Sequence, residues 1–172
     1  QFRQMGCAGY LIRPLRAASL LERVGLALDN VALVELPPER KPGEAGSVLI
    51  ADDNAVNALL FRSALTAAGF RVHTAGTGAE ALERMGETDY SVVFMDIRMP
   101  VMDGLEATRR IRSLAGPASQ TPIVALTADI DPELEERCRS AGVSQLAAKP
   151  IDPPRLRELA ERWARVHTKA AQ

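Results

Sequence analysis

The chain has 172 residues, enough for one ordinary domain and a remainder, and its 47% apolar and 25% charged residues are the balance of a folded soluble protein. A net charge of -1 with no run of like charges argues against a nucleic-acid or anionic-membrane surface, and no apolar stretch approaches the ~20 residues of a membrane span. The start lacks a signal-peptide pattern, and Cys7 and Cys138 have no His or Cys at metal-ligand spacing, so both read as free thiols in a reducing, cytoplasmic setting.

The beginning of the chain looks like its end. Laying the segment around Pro14 over the one around Pro150 sets Gly6 on Gly142, Arg13 on Lys149, Leu15 on Ile151 and Leu20 on Leu156. Two unrelated amphipathic helices could match this well by chance. The sharper expectation is an internal repeat of a strand, a basic-Pro turn and a helix. Residues 1–28 would then be the C-terminal remnant of an upstream domain, and 29–46, with Pro37-Pro38 and Lys41-Pro42-Gly43, the linker. The main domain is expected over 47–168, with 169–172 a tail.

From residue 48 onward, short apolar runs alternate with helix-period segments. Val48 to Ala51, Ser91 to Met95 and Ile123 to Leu126 are continuous enough for strands buried on both faces of a parallel sheet. Phe70 to Ala75 alternates like an edge strand, and Leu146-Ala147-Ala148 is a short fifth strand. Val56, Leu59, Leu60, Ala64 and Ala67 form one helical stripe, stopped by Gly69. Asp131-Pro132-Glu133 opens another helix, with Leu134, Cys138 and Ala141 facing inward. Leu156, Leu159, Ala160, Trp163 and Val166 stripe the last. Strict alternation predicts an open α/β, doubly wound parallel sheet with right-handed crossovers, and the flavodoxin-like (βα)5 strand order 2-1-3-4-5 is the arrangement expected for it.

In such a sheet ligands bind beyond the carboxyl ends of the strands, where the order reverses. Asp52 and Asp53 follow the first strand, Asp96 the third, Thr127 the fourth and Lys149 the fifth. Three converging carboxylates repel unless protons or a cation neutralise them, and a hard divalent ion with oxygen ligands suits Mg²⁺. A carboxylate nucleophile, a cation, an ammonium and a hydroxyl are the parts of a phosphoryl-transfer site. Taken singly, each has a plainer reading as a helix cap, a turn opener, a strand-end hydroxyl or a loop cation. Together at four strand ends, the plain readings would all have to hold at once.

The blocks VLIADDN, VVFMDIRMPVMDG, PIVALTA and AAKP, in this order and spacing, resemble the response-regulator receiver domains of two-component signalling. The resemblance covers about 120 residues and implies that Asp96 is the phosphoacceptor, served by Mg²⁺ (or Mn²⁺). Asp53, Asp96 and the backbone carbonyl of Arg98 look like direct metal ligands, with Asp52 acting through water. Thr127, Ala128 and Lys149 would receive the phosphoryl group, Thr127 as the switch hydroxyl. Arg98 and Asp129 stand where receivers tune dephosphorylation, and a charged pair there would slow or guide water. Leu146 occupies the place of the usual aromatic switch residue, which weakens that coupling.

The motif DDNxxN, made by Asn54 and Asn57, and the run RMPVMDGLEATRRIR are similar to receivers of hybrid histidine kinases. That setting implies phosphate from a histidine kinase or a histidine phosphotransfer domain, no nucleic acid, no direct membrane contact, and a cytoplasmic domain whose parent protein can be membrane-anchored. Such a receiver catalyses only its own phosphorylation and dephosphorylation. The upstream unit, with Arg13 for lysine and Tyr10 at the aromatic place, reads as a degenerate receiver. Two rivals remain: a docking receiver that is never phosphorylated, and an Asp-nucleophile phosphatase, which wants an acid where Arg98 stands. His73 and His167 read as surface residues, and Trp163 as core.

Overall fold

The computed structural model describes residues 43 and 45–170, with side chains as far as residue 166. The expected upstream remnant, Cys7, most of the linker and the His167 side chain lie outside this description. Ten elements alternate: β1 (Ser47–Ala51), α1 (Ala55–Ala67), β2 (Arg71–Ala75), α2 (Gly78–Glu87), β3 (Val92–Asp96), α3 (Gly104–Arg112), β4 (Ile123–Thr127), α4 (Pro132–Ala141), β5 (Gln145–Ala148) and α5 (Pro153–Ala170). A 3₁₀ turn at Pro117–Gln120 precedes β4. The strands form one parallel sheet in the order β2-β1-β3-β4-β5, as the alternation predicted. The last helix continues past the expected boundary at 168.

β3 and β4 throughout, and β1 from Val48 onward, are buried because both faces of the sheet are covered. Val48, Ile50, Val92, Phe94, Val124 and Leu126 pack on one face with α1 and α5. The alternate residues Leu49, Ala51, Val93, Met95 and Ile123 pack on the other with α2 and α3. Cys138 and Ala141 seat α4 against Leu105, with Leu134 and Leu146 beside them. Cys138 is a buried free thiol.

Each helix starts where a short polar side chain covers its free amides. Asn54, Thr77, Asp103 and Asp131 cap α1 to α4, each accepting from a backbone N–H of the first turn. The α4 helix ends on Gly142, whose φ of 88° is the left-handed cap that glycine adopts without strain.

The expected inner face of α1 is wrong. Val56, Leu59 and Leu60 are 65%, 65% and 58% exposed, and Ala67 faces solvent, while Phe61, Leu65 and Ala68 are buried. The helix carries two apolar stripes, and the one with the largest ring, spaced i, i+4, i+7, takes the core. On α5, Val166 is likewise exposed and Ala164 is buried in its stead. His73 is not a simple surface residue either. Its half-buried ring lies 2.7 Å from the Tyr90 hydroxyl through Nδ1, edge-on to the phenol.

Arg112 was not singled out in the sequence. Its guanidinium donates to the carbonyls of Gly142, Ser119 and Thr121 at 2.8–2.9 Å, joining the end of α3, the 3₁₀ turn and the end of α4. No carboxylate pairs with it among the described residues, and burial lowers its pKa. Of the expected linker, Gly43 and Ala45 already donate to the Gly69 carbonyl, so the chain docks on the domain before β1 begins.

Candidate functional site

The register of the sheet brings the acidic residues together. Ala51 lies opposite Met95 across the β1–β3 pair, so the residues that follow them, Asp52 and Asp96, are neighbours. The Asp52 backbone N–H donates to the Ala75 carbonyl, continuing the sheet by one bond, and its side chain turns inward at 2% exposure. Asp53 then points outward, and Asn54 starts α1.

Asp52 is held by protein donors. Its carboxylate accepts from the Asn54 backbone N–H at 2.9 Å, from the Asn57 amide at 3.4 Å and from Lys149 Nζ at 2.8 Å. The second asparagine of DDNxxN therefore touches this carboxylate, a partner that the motif alone did not reveal. Asp96, 8% exposed, accepts from the Arg98 backbone N–H at 3.1 Å and from Lys149 Nζ at 2.6 Å. Asp53 is exposed and has no hydrogen bond or ion pair among the described residues.

Lys149 thus bridges Asp52 and Asp96 through one ammonium. Burial disfavours its charge, but the hydrogen bonds and attraction of the two carboxylates outweigh burial and raise its pKa. The Lys149 backbone N–H pairs with the Thr127 carbonyl, and the Lys149–Pro150 bond is cis.

One oxygen from each of Asp52, Asp53 and Asp96 lies within 4.8 Å of the others. Three carboxylates facing one ammonium leave two negative charges in excess when all are ionised. That charge, an all-oxygen donor set and the open Asp53 carboxylate fit a hard divalent cation. They do not fit a soft metal, which would want sulfur or imidazole.

Thr127, at the end of β4, is buried, and its hydroxyl donates to the Asp129 carbonyl at 2.8 Å rather than to any of the three carboxylates. Ala128 and Asp129 are exposed. Asp53, Arg98, Thr127 and Asp129 line one open groove of about 730 Å³, between the loop after β3 and the start of α4. No ion pair joins Arg98 to Asp129 among the described residues, so the expected charged pair is two exposed groups on one groove. Leu146 is half-buried against the Leu105–Cys138–Ala141 cluster.

The loop after Asp96 is tightly drawn. A Cβ at Gly104 would lie 2.1 Å from the Asp96 carbonyl oxygen, so only glycine lets α3 start this close. The Gly104 N–H donates to the Ile97 carbonyl at 2.9 Å, closing the loop. Within it Val101 has φ 68°, a left-handed conformation that costs a β-branched residue about 1–2 kcal/mol. Its side chain is 94% exposed, so no burial among the described residues offsets that cost.

Residues 48–161 match the family model described as the response regulator receiver domain. The chain is 31% identical over 163 residues to the signal transduction histidine-protein kinase BarA of Escherichia coli, covering 95% of this chain and 18% of that one. It is 30% identical over 154 residues to hybrid signal transduction histidine kinase C of Dictyostelium discoideum, covering 87% of this chain and 13% of the other. The chain therefore spans less than a fifth of the length of these curated relatives. Among solved structures, the receiver domain of a sensor histidine kinase from Pseudomonas aeruginosa, with magnesium coordinated in its active-site cleft, aligns at TM-score 0.63 and 34% identity, covering 69% of this chain and 96% of that one. The chemotaxis protein CheY4 of Vibrio cholerae aligns at TM-score 0.64 and 31% identity, covering 67% and 96%.

Proposed function

Because the chain belongs to the response regulator receiver family, we propose that its Asp96 accepts a phosphoryl group from a phosphohistidine on a histidine kinase or a histidine phosphotransfer domain. The observation that carries this reading is the single ammonium of Lys149 held 2.6 Å from Asp96 and 2.8 Å from Asp52, beside an Asp53 carboxylate free of protein partners among the described residues.

An Asp96 oxygen attacks phosphorus in line; the P–O bond forms as the N–P bond breaks. The electron pair returns to the imidazole nitrogen, which takes its proton from solvent. Lys149 turns from the carboxylate toward a phosphoryl oxygen and neutralises part of its charge. Asp53, Asp96 and the Arg98 carbonyl would hold Mg²⁺ (or Mn²⁺), with Asp52 reaching it through water. When bound, that ion would offset the repulsion among the carboxylates and draw charge from the phosphoryl oxygens. The magnesium in the Pseudomonas neighbour supports this choice.

Thr127 exchanges its bond to the Asp129 carbonyl for one to the phosphoryl group, with the Ala128 N–H as a second donor. A charge-assisted hydrogen bond is worth about 1.5–3 kcal/mol, whereas moving an equilibrium from about 1:99 to 99:1 takes about 5.5 kcal/mol. Phosphorylation alone therefore switches the surface partially, and partner binding completes it. Arg98 and Asp129, on the groove that Asp53 and Thr127 also line, set the approach of hydrolytic water. Leu146, which has no ring to rotate, limits how far the Thr127 movement spreads.

The hybrid-kinase relatives support placing this receiver in a hybrid histidine kinase, with 1–28 the remnant of a preceding receiver-like unit, 29–46 a linker and 47–168 the receiver. No helix among the described residues is long and apolar enough to cross a membrane. Labelling with phosphoramidate and Mg²⁺ tests the assignment. Wild type should take up acid-stable, alkali-labile phosphate that is lost in Asp96→Ala and in EDTA; undiminished labelling of Asp96→Ala would overturn it, and no labelling of either would favour a docking role.

A further inference from the structure

Among the described residues, the side chain of Val101 has no packing partner. Its backbone lies in the left-handed region, where glycine or asparagine would sit with less strain, and its 94% exposure leaves the side chain without packing partners that could repay the conformation. The turn lies just before Gly104, whose close approach to Asp96 draws the loop tight, and glycine or asparagine adopts its φ of 68° at lower cost.

Its location is specific. Val101 follows Pro100, and the exposed Ile130 lies between Asp129 and Asp131; Pro100, Asp129 and Asp131 all line the groove that Asp53 and Thr127 share. On the loop after β3 and the loop after β4, an exposed apolar side chain therefore adjoins residues that line this groove, and the Asp53 of its lining has a carboxylate oxygen within 4.8 Å of one from Asp96. The Asp96 side chain is itself only 12% exposed, so a donor nitrogen must come down to it while the donor's surface rests on the banks.

We propose that Val101 is a docking and specificity residue for the protein that delivers the phosphoryl group, with Ile130 as its counterpart across the groove. This rests on Asp96 being the acceptor. The occupant is the surface of a histidine-phosphorylated protein around its phosphohistidine, presenting apolar side chains to the two banks. Val101 takes no part in bond making. A donor small enough to enter the groove without touching the banks does not sense it.

The test compares two donors: phosphoramidate with Mg²⁺, and the kinase BarA of Escherichia coli autophosphorylated on histidine. Val101→Gly and Val101→Asn relieve strain, so both should unfold at higher temperature than wild type, which excludes misfolding as a cause of lost transfer. Phosphoramidate labelling should stay within about twofold of wild type, while kcat/KM from BarA falls about tenfold, equal to about 1.4 kcal/mol, mostly through KM. Val101→Ile, still apolar and β-branched, should retain the wild-type rate.

Unchanged transfer from BarA in the Gly and Asn variants would overturn the proposal. So would an equal loss with both donors, which would put Val101 in the chemistry. A wild type labelled by phosphoramidate but never by BarA would count against a kinase surface as the occupant. Failure of phosphoramidate to label wild type would remove the acceptor reading itself, and this inference with it.

Discussion

Replacing Asp53 by Asn should stabilise the metal-free protein and destabilise it, relative to wild type, once magnesium is added. The carboxylate oxygens of Asp52, Asp53 and Asp96 lie at most 4.8 Å apart, where two unit charges repel by about 0.9 kcal/mol at the dielectric of water and about 3.5 kcal/mol at an effective value of 20. Asp53 is exposed, so the lower figure applies to each of its two pairs, and attraction to Lys149 offsets about half of their sum. The net gain on removing the charge is about 1 kcal/mol, or about 4 °C in Tm for a domain of this size. With Mg²⁺ at about a hundred times its dissociation constant, wild type gains about 2.7 kcal/mol, and a variant lacking one ligand gains much less. Urea unfolding in EDTA and in MgCl₂ measures both, and the two stability curves should change order. If Asp53→Asn is destabilised in EDTA, or if magnesium stabilises both proteins equally, the electrostatic account of this cluster is wrong.

Other perturbations test the packing. Leu65→Ala should cost about 2–4 kcal/mol in urea unfolding, and Leu60→Ala less than about 0.5, because only Leu65 lies in the core. Gly104→Ala, whose Cβ would meet the Asp96 carbonyl at 2.1 Å, should cost more than about 3 kcal/mol and impair labelling of Asp96 at the same time. Burial raises the pKa of Cys138 above its ordinary 9.0, and that of Tyr90 above 10.0. The unfolded chain then loses these protons first, so stability is full below about pH 9 and falls as pH rises through the folded values. Cys138→Ala should flatten the beginning of that decline in urea midpoints taken between about pH 8 and pH 10; an unaltered slope would contradict the assignment.

The sheet and the acid cluster were legible because both follow from local signals. Continuous apolar runs such as Val92 to Met95 mark buried strands, and the residue after each run must emerge at the same edge of a parallel sheet. Asp52, Asp96, Thr127 and Lys149 were thus placed by strand order alone. The face of α1 was not legible, since apolar residues lie nearly all round it and only the packing of Phe61 and Leu65 under α5 decides between two stripes. The His73–Tyr90 contact joins residues 17 apart that share no periodic pattern. Arg112 stands in a run of arginines in which Arg109 and Arg110 are exposed, and nothing short of the folded turn beneath it marks the third as a half-buried donor. The strain at Val101 had a faint signal, a β-branched residue between Pro100 and Asp103-Gly104, where the turn chemistry favours glycine or asparagine.

The three bonds from Arg112 lie at the amino edge of the sheet, opposite the acids, and one of them grips the carbonyl of Gly142 at the far end of α4. A rod clamped at one end answers a push at the other by swinging rather than sliding. If Thr127 moves as proposed, a displacement passed through Asp129 to Asp131 would be levered about a fulcrum at Gly142. Its amplitude would then be greatest at Pro132 and die away toward Ala141, and a reader of the switched state would grip the first turn of this helix and ignore the last.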